Sequence, residues 1–373
     1  MERVVSRETG ALGRRVAVRG EHLNGYCRVP GSPFAGTLHL VPNLADEEAT
    51  EVSFGPMDMP AEVDTFTFFW RYGVRRHGGQ AAVVTCRALA GDGDVLAEQT
   101  TRLGAAEQCA TSMRFRRPHA SPVGLSVRVV LEPAPSATDG GAVRLLYLLA
   151  YRHNPLVDMS NAAGTDKGTE VAFGKGVPHC YAVAYHELFA PFRSEAFSLL
   201  EIGLQNGSGD GRPVDAPSLR VWREFFPRAR IVGYDINDFS AFSQEGTATV
   251  RGDQSSREDL ARLLAEHGQP PFRLVIDDGS HASSHQQISL AGVFPHVAPG
   301  GIYVIEDLHW QPFVETPTTL EVLRGYLERR RIESPWMRDN EARELEASIA
   351  SVEILRPNDA EIAVIRRRED AGY

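Results

Sequence analysis

The sequence predicts two domains: a β-rich N-terminal domain over residues 1–150 and an α/β domain over residues 151–373. In the first part, short β-prone runs are separated by turn residues such as Pro30-Gly31 and Gly78-Gly79. In the second part, apolar strands alternate with helical segments, which indicates a mostly parallel sheet with helices on both faces. Two strand-like runs joined by Pro357-Asn358-Asp359 close the chain as a hairpin, so we expect an antiparallel last strand.

The N-terminal part contains β-prone runs and no motif that carries chemistry. Six runs stand out, at Arg15–Val18, Thr37–Val41, Thr65–Arg71, Ala81–Ala88, Leu96–Arg102 and Leu125–Leu131. The leucine-rich segment Ala142–Tyr151 predicts either a linking helix or a strand that closes the first domain.

The second part begins with a polar, glycine-containing segment, Ser160–Gly168, which we interpret as a loop. Five strands are predicted after it, at Phe197–Gly203, Arg230–Asp235, Thr247–Gly252, Leu274–Asp278 and Gly301–Glu306. Hydrophobic periodicity predicts helices at His179–Phe189, Ser218–Phe226, Glu258–Glu266, Ser284–Phe294, Thr319–Arg331 and Ala342–Ile349.

Composition excludes several classes of protein. The net charge of −10 argues against a nucleic-acid partner, which would require a basic face. The four cysteines are far apart and form no zinc-binding spacing. Residues 1–16 lack the apolar core of a signal peptide, and the longest apolar run is too short to cross a bilayer. We therefore expect a soluble, cytoplasmic protein.

Polar residues at the ends of the first three strands indicate a nucleoside-containing cofactor. Glu201-Ile202-Gly203 is a strand end followed by a glycine-rich stretch, where a ligand can approach the backbone closely. Asp235 ends the second strand and can accept hydrogen bonds from both hydroxyls of a ribose, and Gln254 follows the third. The G-x-G-x-x-G pattern that opens directly into a helix is missing, which disfavours a dinucleotide.

Two pairs of carboxylates end the fourth and fifth strands and predict a metal site. They are Asp277-Asp278 and Glu306-Asp307. Carboxylates that meet at one edge of a sheet repel each other unless a cation neutralises them, and oxygen ligands favour Mg²⁺, Mn²⁺ or Ca²⁺. The alternative is that the first pair caps a turn while the second is solvated. Because strand side chains alternate, Asp277 and Asp278 should serve different ligands.

Histidines beside these carboxylates are candidates for a general base. His281 follows Asp278 by three residues, and a neutral imidazole is the usual group for removing a hydroxyl proton near pH 7. His285, about one helical turn further on, ranks second.

Six motifs together resemble the metal- and S-adenosylmethionine-dependent sugar O-methyltransferases of macrolide biosynthesis. They are SNAAGTDKGT, EIG, GYDI, GDQSS, IDDGSH and PGGIYVIEDLHW, and the resemblance covers about residues 155–315. It implies a class I methyltransferase domain with a Rossmann-like sheet behind an auxiliary domain. It also implies a homotetramer that acts on a glycosylated small molecule.

The resemblance assigns roles to individual residues. It implies S-adenosylmethionine contacts at Thr165, Glu201, Gly203, Asp235, Gln254 and Asp277. It implies Mg²⁺ ligands at Asp278, Glu306 and Asp307, with His281 as the general base. The stretch SGDGRP after Gly203 looks inserted relative to the family, which leaves the cofactor contacts there open.

Two other enzyme functions fit parts of the sequence. One is a Mg²⁺-dependent methyltransferase that acts on an aromatic diol, and the other is a nicotinamide-dependent sugar enzyme. Trp310, together with Phe313, could cover either a sugar face or an aromatic ring, so Trp310 and His285 are candidate substrate contacts. A non-catalytic interaction protein is a third reading, and it predicts no affinity for metal or cofactor.

Overall fold

The computed structural model describes most of the second half of the chain and the strands of the first half. The described ranges are 5–10, 13–18, 38–40, 51–57, 65–75, 82–90, 93–103, 108–116, 125–132, 142–169, 179–204, 215–355 and 360–369. The chain divides into two compact units, Met1–Pro155 and Leu156–Tyr373. In the described part of the chain, no helix is both long enough and apolar enough to cross a membrane.

The described residues of the first unit lie almost entirely in β-strands, as the β-prone runs predict. Its strands are β1 (Val5–Gly10), β2 (Gly13–Val18), β3 (Leu38–Leu40), β4 (Glu51–Met57), β5 (Thr65–Arg75), β6 (Ala82–Ala90), β7 (Val95–Leu103), β8 (Gln108–Arg116), β9 (Leu125–Glu132) and β10 (Ala142–Arg152). They form a six-stranded sheet in the order β1-β2-β4-β9-β6-β7 and a four-stranded sheet in the order β3-β10-β5-β8.

The second unit alternates strands and helices. Its strands are β11 (Ser198–Ile202), β12 (Arg230–Asp235), β13 (Thr247–Arg251), β14 (Phe272–Asp277), β15 (Val297–Ile305), β16 (Ile349–Leu355) and β17 (Ile362–Arg367). Its helices are α1 (Pro155–Ala163, whose first residue belongs to the first unit), α2 (Tyr181–Phe189), α3 (Pro217–Phe225), α4 (Arg257–His267), α5 (Ser283–Val293), α6 (Thr319–Arg329) and α7 (Asp339–Ser348).

The seven strands form one sheet in the order β13-β12-β11-β14-β15-β17-β16. The first five are parallel, whereas β17 is antiparallel to both β15 and β16. This confirms the predicted class I methyltransferase sheet with an antiparallel last strand. The strand order reverses between β11 and β14, and ligands of open α/β sheets bind at the carboxyl ends of the strands at such a point.

Local signals explain where the elements begin. All five residues of β11 are buried at the centre of the sheet, as the apolar run predicts. The helix α4 begins where the Ser256 hydroxyl accepts the backbone N–H of Asp259 at 3.2 Å. The helix α6 begins with a capping box between Thr318 and Glu321.

Two local predictions need correction. The segment Ser160–Gly168 is not a loop throughout, because α1 continues to Ala163 and buries Leu156, Val157 and Ser160. For Ala142–Tyr151 the helical alternative is wrong, since β10 pairs with β3 on one side and β5 on the other. The predicted turn at Pro357-Asn358-Asp359 lies outside the described residues.

The reversal point depends on Gly203, which directly follows β11. Its φ of 88° lies in the left-handed region, and its N–H donates to the carbonyl oxygen of Tyr234 at 2.8 Å. A Cβ atom at this position would lie 1.9 Å from the carbonyl oxygen of Asp278. Only glycine fits here without moving the backbone of Asp278.

We expect Gly203→Ala to lower the free energy of unfolding by about 3 kcal/mol, because the methyl group collides with the Asp278 backbone in addition to the left-handed strain. The matched control is Gly246→Ala, where φ is 76° but a Cβ would meet no atom within 4 Å. The control should lose only about 1 kcal/mol. Urea unfolding curves measure both, and equal losses would contradict the steric argument.

Candidate active site

The carboxyl ends of β11 to β14 surround a cavity of about 350 Å³. Of the residues predicted from the sequence, those that line it are Gly203, Asp235, Gln254, Asp278, His281, His285 and Asp307. Thr165, Glu201, Asp277, Glu306 and Trp310 do not line it. The structure thus brings seven of the twelve predicted site residues to one cavity, and the other five do not line it.

Asp235 is held in place at the end of β12 by two backbone donors. Its Oδ2 accepts the N–H of Leu204 and its Oδ1 accepts the N–H of Asn237, each at 2.8 Å. A carboxylate has further lone pairs on both oxygens, so Asp235 can accept additional hydrogen bonds from a ligand in the cavity.

Glu201 is fully buried behind the cavity wall. Its Oε2 accepts the hydroxyl of Ser218 at 2.8 Å, and the indole N–H of Trp222 also donates to the carboxylate. Burial raises the pKa of Glu201 to about 7, although the charge of Lys167 opposes the shift.

Asp277 faces an internal network. Its carboxylate accepts hydrogen bonds from the Gln254 amide at 2.6 Å, the Ser289 hydroxyl at 2.5 Å and the Tyr303 hydroxyl at 2.8 Å. Burial raises its pKa to about 6, against the effect of these three donors. Asp277 and Asp278 face different ways, as strand alternation requires, but the structure does not bring Asp277 to the cavity.

Gln254 connects this network to the turn that carries Asp278 and His281. Its amide oxygen accepts the N–H of Ser280 at 3.1 Å while its amide nitrogen donates to Asp277. A Cβ on Gly279 would lie 2.2 Å from the Gln254 amide oxygen, so the turn packs directly on this side chain.

Three groups that can bind a metal converge at the edge of the cavity. One ligand-capable atom from each of Asp278, His281 and Asp307 lies within 4.8 Å of the other two. The Nε2 of His281 is 3.6 Å from the Oδ2 of Asp307. The sequence predicted Asp278, Glu306 and Asp307 as ligands, whereas the compact group in the structure contains His281 where Glu306 was expected.

Glu306 is enclosed by protein donors. The Tyr185 hydroxyl donates to its Oε1 at 2.6 Å, and the Lys167 ammonium donates to its Oε2 at 2.9 Å. The same ammonium bonds Asp278. Burial by itself lowers the pKa of Lys167, but the charges of Asp278 and Glu306 hold it well above its usual value.

The three carboxyl groups lie close enough to shift one another's pKa. Burial raises the pKa of Glu306 well above its usual range, and the charge of Asp278 adds to the shift. Burial also acts to raise the pKa of Asp307, but the neighbouring His179 and His281 hold it below its usual value. A cluster in which one ammonium faces three acids fits a further cation.

The backbone is strained at this site. His281 and Asp307, neither of them glycine, have φ values of 61° and 56°. Such left-handed conformations cost energy and are concentrated at functional sites. The Nδ1 of His281 is buried without a hydrogen-bond partner among the described residues. The half-exposed ring of Trp310 stands edge-on to His281, with 5.5 Å between ring centroids.

Two of the remaining candidates make local contacts. The Oγ1 of Thr165 contacts Asp166, which lines the cavity, and accepts the N–H of Lys167 at 3.4 Å. His285 shares a 2.7 Å hydrogen bond between its Nδ1 and the Ser280 hydroxyl. The predicted SGDGRP stretch lies outside the described residues.

Sequence reasoning missed four residues that contact the acids. They are Lys167, His179, Tyr181 and Tyr185. The two tyrosines are four residues apart, which puts them on one face of α2. That spacing was visible in the sequence, but it does not reveal which strand ends the helix would cover.

No known family model matches the sequence. A characterised relative, the 8-demethyl-8-alpha-L-rhamnosyl tetracenomycin-C 2'-O-methyltransferase of Streptomyces olivaceus, is 31% identical over 364 residues, covering 88% of this chain and 88% of that protein. The chain belongs to the sugar O-methyltransferases of antibiotic biosynthesis. The predicted enzyme class is therefore confirmed for this O-methyltransferase, and the nicotinamide-dependent alternative is set aside.

Other relatives match the methyltransferase over shorter stretches. The mycinamicin VI 2''-O-methyltransferase of Micromonospora griseorubida is 41% identical over 141 residues, which are 37% of this chain and 34% of that protein. The demethylmacrocin O-methyltransferase of Streptomyces fradiae is 42% identical over 141 residues, 37% and 35% of the two chains. Among solved structures, the MycE methyltransferase of the mycinamycin pathway in complex with Mg, SAH and mycinamycin VI has a TM-score of 0.46, with 30% identity over 60% of this chain and 57% of that one.

The buried Glu201 makes the stability of the methyltransferase depend on pH. Its pKa of about 7 when folded exceeds the ordinary value of 4.5, so the folded state binds this proton more tightly and the free energy of unfolding falls as the pH rises from 4.5 to 7. Glu201→Gln removes the titration and keeps an acceptor for Ser218. We expect the variant to gain on the order of 3 kcal/mol relative to the wild type between pH 4.5 and pH 8.

Urea unfolding of the cofactor-free protein at the two pH values measures this gain. The exposed Glu245→Gln is the matched control and should differ from the wild type by the same small amount at both. A Glu201→Gln difference that does not change with pH would contradict the assignment.

Proposed function

We propose that this methyltransferase moves the methyl group of S-adenosylmethionine to a hydroxyl of a deoxysugar on a glycosylated natural product. The observation that carries the proposal is the convergence of Asp278, His281 and Asp307 at the edge of the cavity. This arrangement combines oxygen ligands for a metal, a group that accepts a proton and an adjacent cavity for a cofactor.

The cavity supports the cofactor assignment. Asp235 is positioned to accept hydrogen bonds from the ribose hydroxyls of S-adenosylmethionine. Gly203 packs against the backbone of Asp278, so no side chain fills the cavity at this point. Glu201, at the end of β11 directly before the Ile202-Gly203 turn, remains a predicted contact of the cofactor. Thr165, Gln254 and Asp277 remain predicted contacts, and the two last also support the Ser280–His281 turn.

The donor set suits Mg²⁺, the metal with which the MycE relative was solved. Mg²⁺ prefers carboxylate oxygen to imidazole nitrogen, so we assign Asp278 and Asp307 to the metal and His281 to proton transfer. Glu306 remains the third predicted ligand. When bound, the metal would hold two neighbouring sugar hydroxyls and lower the pKa of one.

The residues of this chain would then position and deprotonate the acceptor. The imidazole of His281 lies beside Asp307 and would take the proton from a sugar hydroxyl in the cavity. The sugar oxygen, thus activated, forms its bond to the methyl carbon while the carbon–sulfur bond breaks. Because the donor is already reactive, orientation supplies much of the rate. Trp310, next to His281, is the predicted cover for the sugar ring.

The N-terminal unit and the assembly complete the proposal. The resemblance assigns an auxiliary role to the β-rich unit and a homotetramer to the protein, and both remain predictions. A glycosylated polyketide is the substrate class that the rhamnosyl tetracenomycin relative acts on.

Replacing His281 should stop methyl transfer while S-adenosylmethionine and Mg²⁺ still bind. Asparagine tolerates the left-handed conformation at this position, so His281→Asn keeps the turn. We expect kcat to fall by at least about 100-fold while calorimetric binding of S-adenosylmethionine and Mg²⁺ stays within about threefold of the wild type. The control is His267→Asn, because His267 contacts Arg230 at the amino end of β12, away from the cavity. A kcat near that of the wild type, with the metal still bound, would rule out the base.

Removing divalent ions should abolish turnover. After exhaustive chelation and desalting, we expect the rate of methyl transfer, read as a mass shift across glycosylated polyketides, to fall by at least about 100-fold and to return with Mg²⁺. Binding of S-adenosylmethionine, which uses Asp235 and Glu201, should persist in the metal-free protein. Turnover that survives chelation would overturn the metal assignment.

A further inference from the structure

Lys167 lies in the middle of the acid cluster and is not used by the proposed mechanism. Its side chain is only 3% exposed, and its ammonium contacts both Asp278 and Glu306. The chain has 39 Lys and Arg residues, of which only Lys167 and Lys175 are lysines. In a protein that otherwise uses arginine, a lysine at the buried contact between two acids points to a specific requirement.

That requirement is a compact charge. An ammonium concentrates its charge on one atom with three donors, whereas a guanidinium spreads it over a planar fork. The space between the Oδ2 of Asp278 and the Oε2 of Glu306 holds a single nitrogen atom that contacts both. The other oxygen of Glu306 is bonded to Tyr185, so Lys167 completes the enclosure of this carboxylate.

The backbone around Lys167 fixes where its side chain points. Its carbonyl oxygen accepts the N–H of Ala182 at the start of α2, at 2.7 Å. The following turn is tied to α1, since Asn161 Oδ1 accepts the N–H of Thr169 at 2.8 Å. A Cβ on Gly168 would lie 2.3 Å from that Oδ1, so the turn packs tightly on Asn161. The backbone that carries the Lys167 side chain is therefore held by contacts with both α1 and α2.

The charges give Lys167 two opposite effects. Asp278, Glu306 and Asp307 lie together at this site, and the ammonium of Lys167 contacts only the first two, so the site can still accommodate a divalent ion. In the metal-free protein, Lys167 is the counter-charge that lets the buried Glu306 lie close to the partly exposed Asp278. Once a divalent ion arrives, the same ammonium repels it.

We propose that Lys167 is a positioning residue that assembles Asp278 and Glu306 before the metal binds and thereby weakens metal binding. This inference rests on the metal site of the proposed function. In the metal-free protein, Lys167 thus holds the acids together. The same charge stabilises the metal-free protein and lowers its affinity for the metal.

The test compares Lys167→Met with the wild type in metal binding and in thermal stability, neither of which needs turnover. We expect Lys167→Met to bind Mn²⁺, measured by calorimetry, at least about tenfold more tightly, because a repelling charge is gone. Without metal, the melting temperature of Lys167→Met should lie further below that of the wild type than it does with Mg²⁺. Adding Mg²⁺ should therefore raise the melting temperature of the variant by more than that of the wild type. Lys167→Gln, which is neutral and keeps a polar head group, should bind Mn²⁺ more tightly in the same way if Lys167→Met does not fold.

Two further variants separate charge from general packing. Lys167→Arg keeps the charge, so its metal affinity should stay near that of the wild type while its larger head group lowers stability equally with and without Mg²⁺. Arg257→Met breaks a partly buried ion pair with Glu341 elsewhere in the unit and should lower the melting temperature equally in both conditions.

Unchanged or weaker Mn²⁺ binding in both neutral variants would overturn the role of Lys167, as would equal losses of stability with and without Mg²⁺. A wild-type protein that binds neither ion would instead remove the metal site itself. The failure of this inference and the failure of the proposed function are therefore distinguishable.

Discussion

The site depends on the neutralisation of three carboxylates that two neighbouring strands bring together. Asp278 follows β14, while Glu306 and Asp307 follow β15, and Glu306 and Asp307 are almost fully buried. Buried acids at this density are stable only with counter-charges and donors. The loop before α2 supplies Lys167, and α2 supplies two tyrosine hydroxyls, so the position of these segments follows from the electrostatics of the strand ends.

A second buried network, around Asp277, supports the turn that carries Asp278 and His281. The carboxylate of Asp277 is surrounded by the side chains of Gln254, Ser289 and Tyr303, and Gln254 passes the restraint on to the N–H of Ser280. A polar network with satisfied partners is rigid in a low-dielectric interior. The adjacent acids therefore divide their tasks, since Asp277 fixes the turn on which Asp278 and the strained His281 are presented to the cavity.

Much of the fold and the floor of the site could be predicted because the signals are local. The parallel strands β11 to β15 were predicted within about four residues, since buried apolar runs mark them in the sequence. The class of enzyme followed from the resemblance of six sequence motifs to a known family. The role of Thr165 was inferred from resemblance and that of Trp310 from its place near the site in the sequence, and both remain predictions.

The sequence by itself determined the order of strands and helices, the acids at the strand ends and the family. Only the tertiary structure decided which groups surround those acids. Lys167 and Tyr185 are separated from Glu306 by more than a hundred residues. Asp277 likewise reads as a site residue in the sequence, whereas its hydrogen bonds turn it inward. Local propensities select elements, but the contacts between elements are set by how they pack, and the pairing of buried charges belongs to that level.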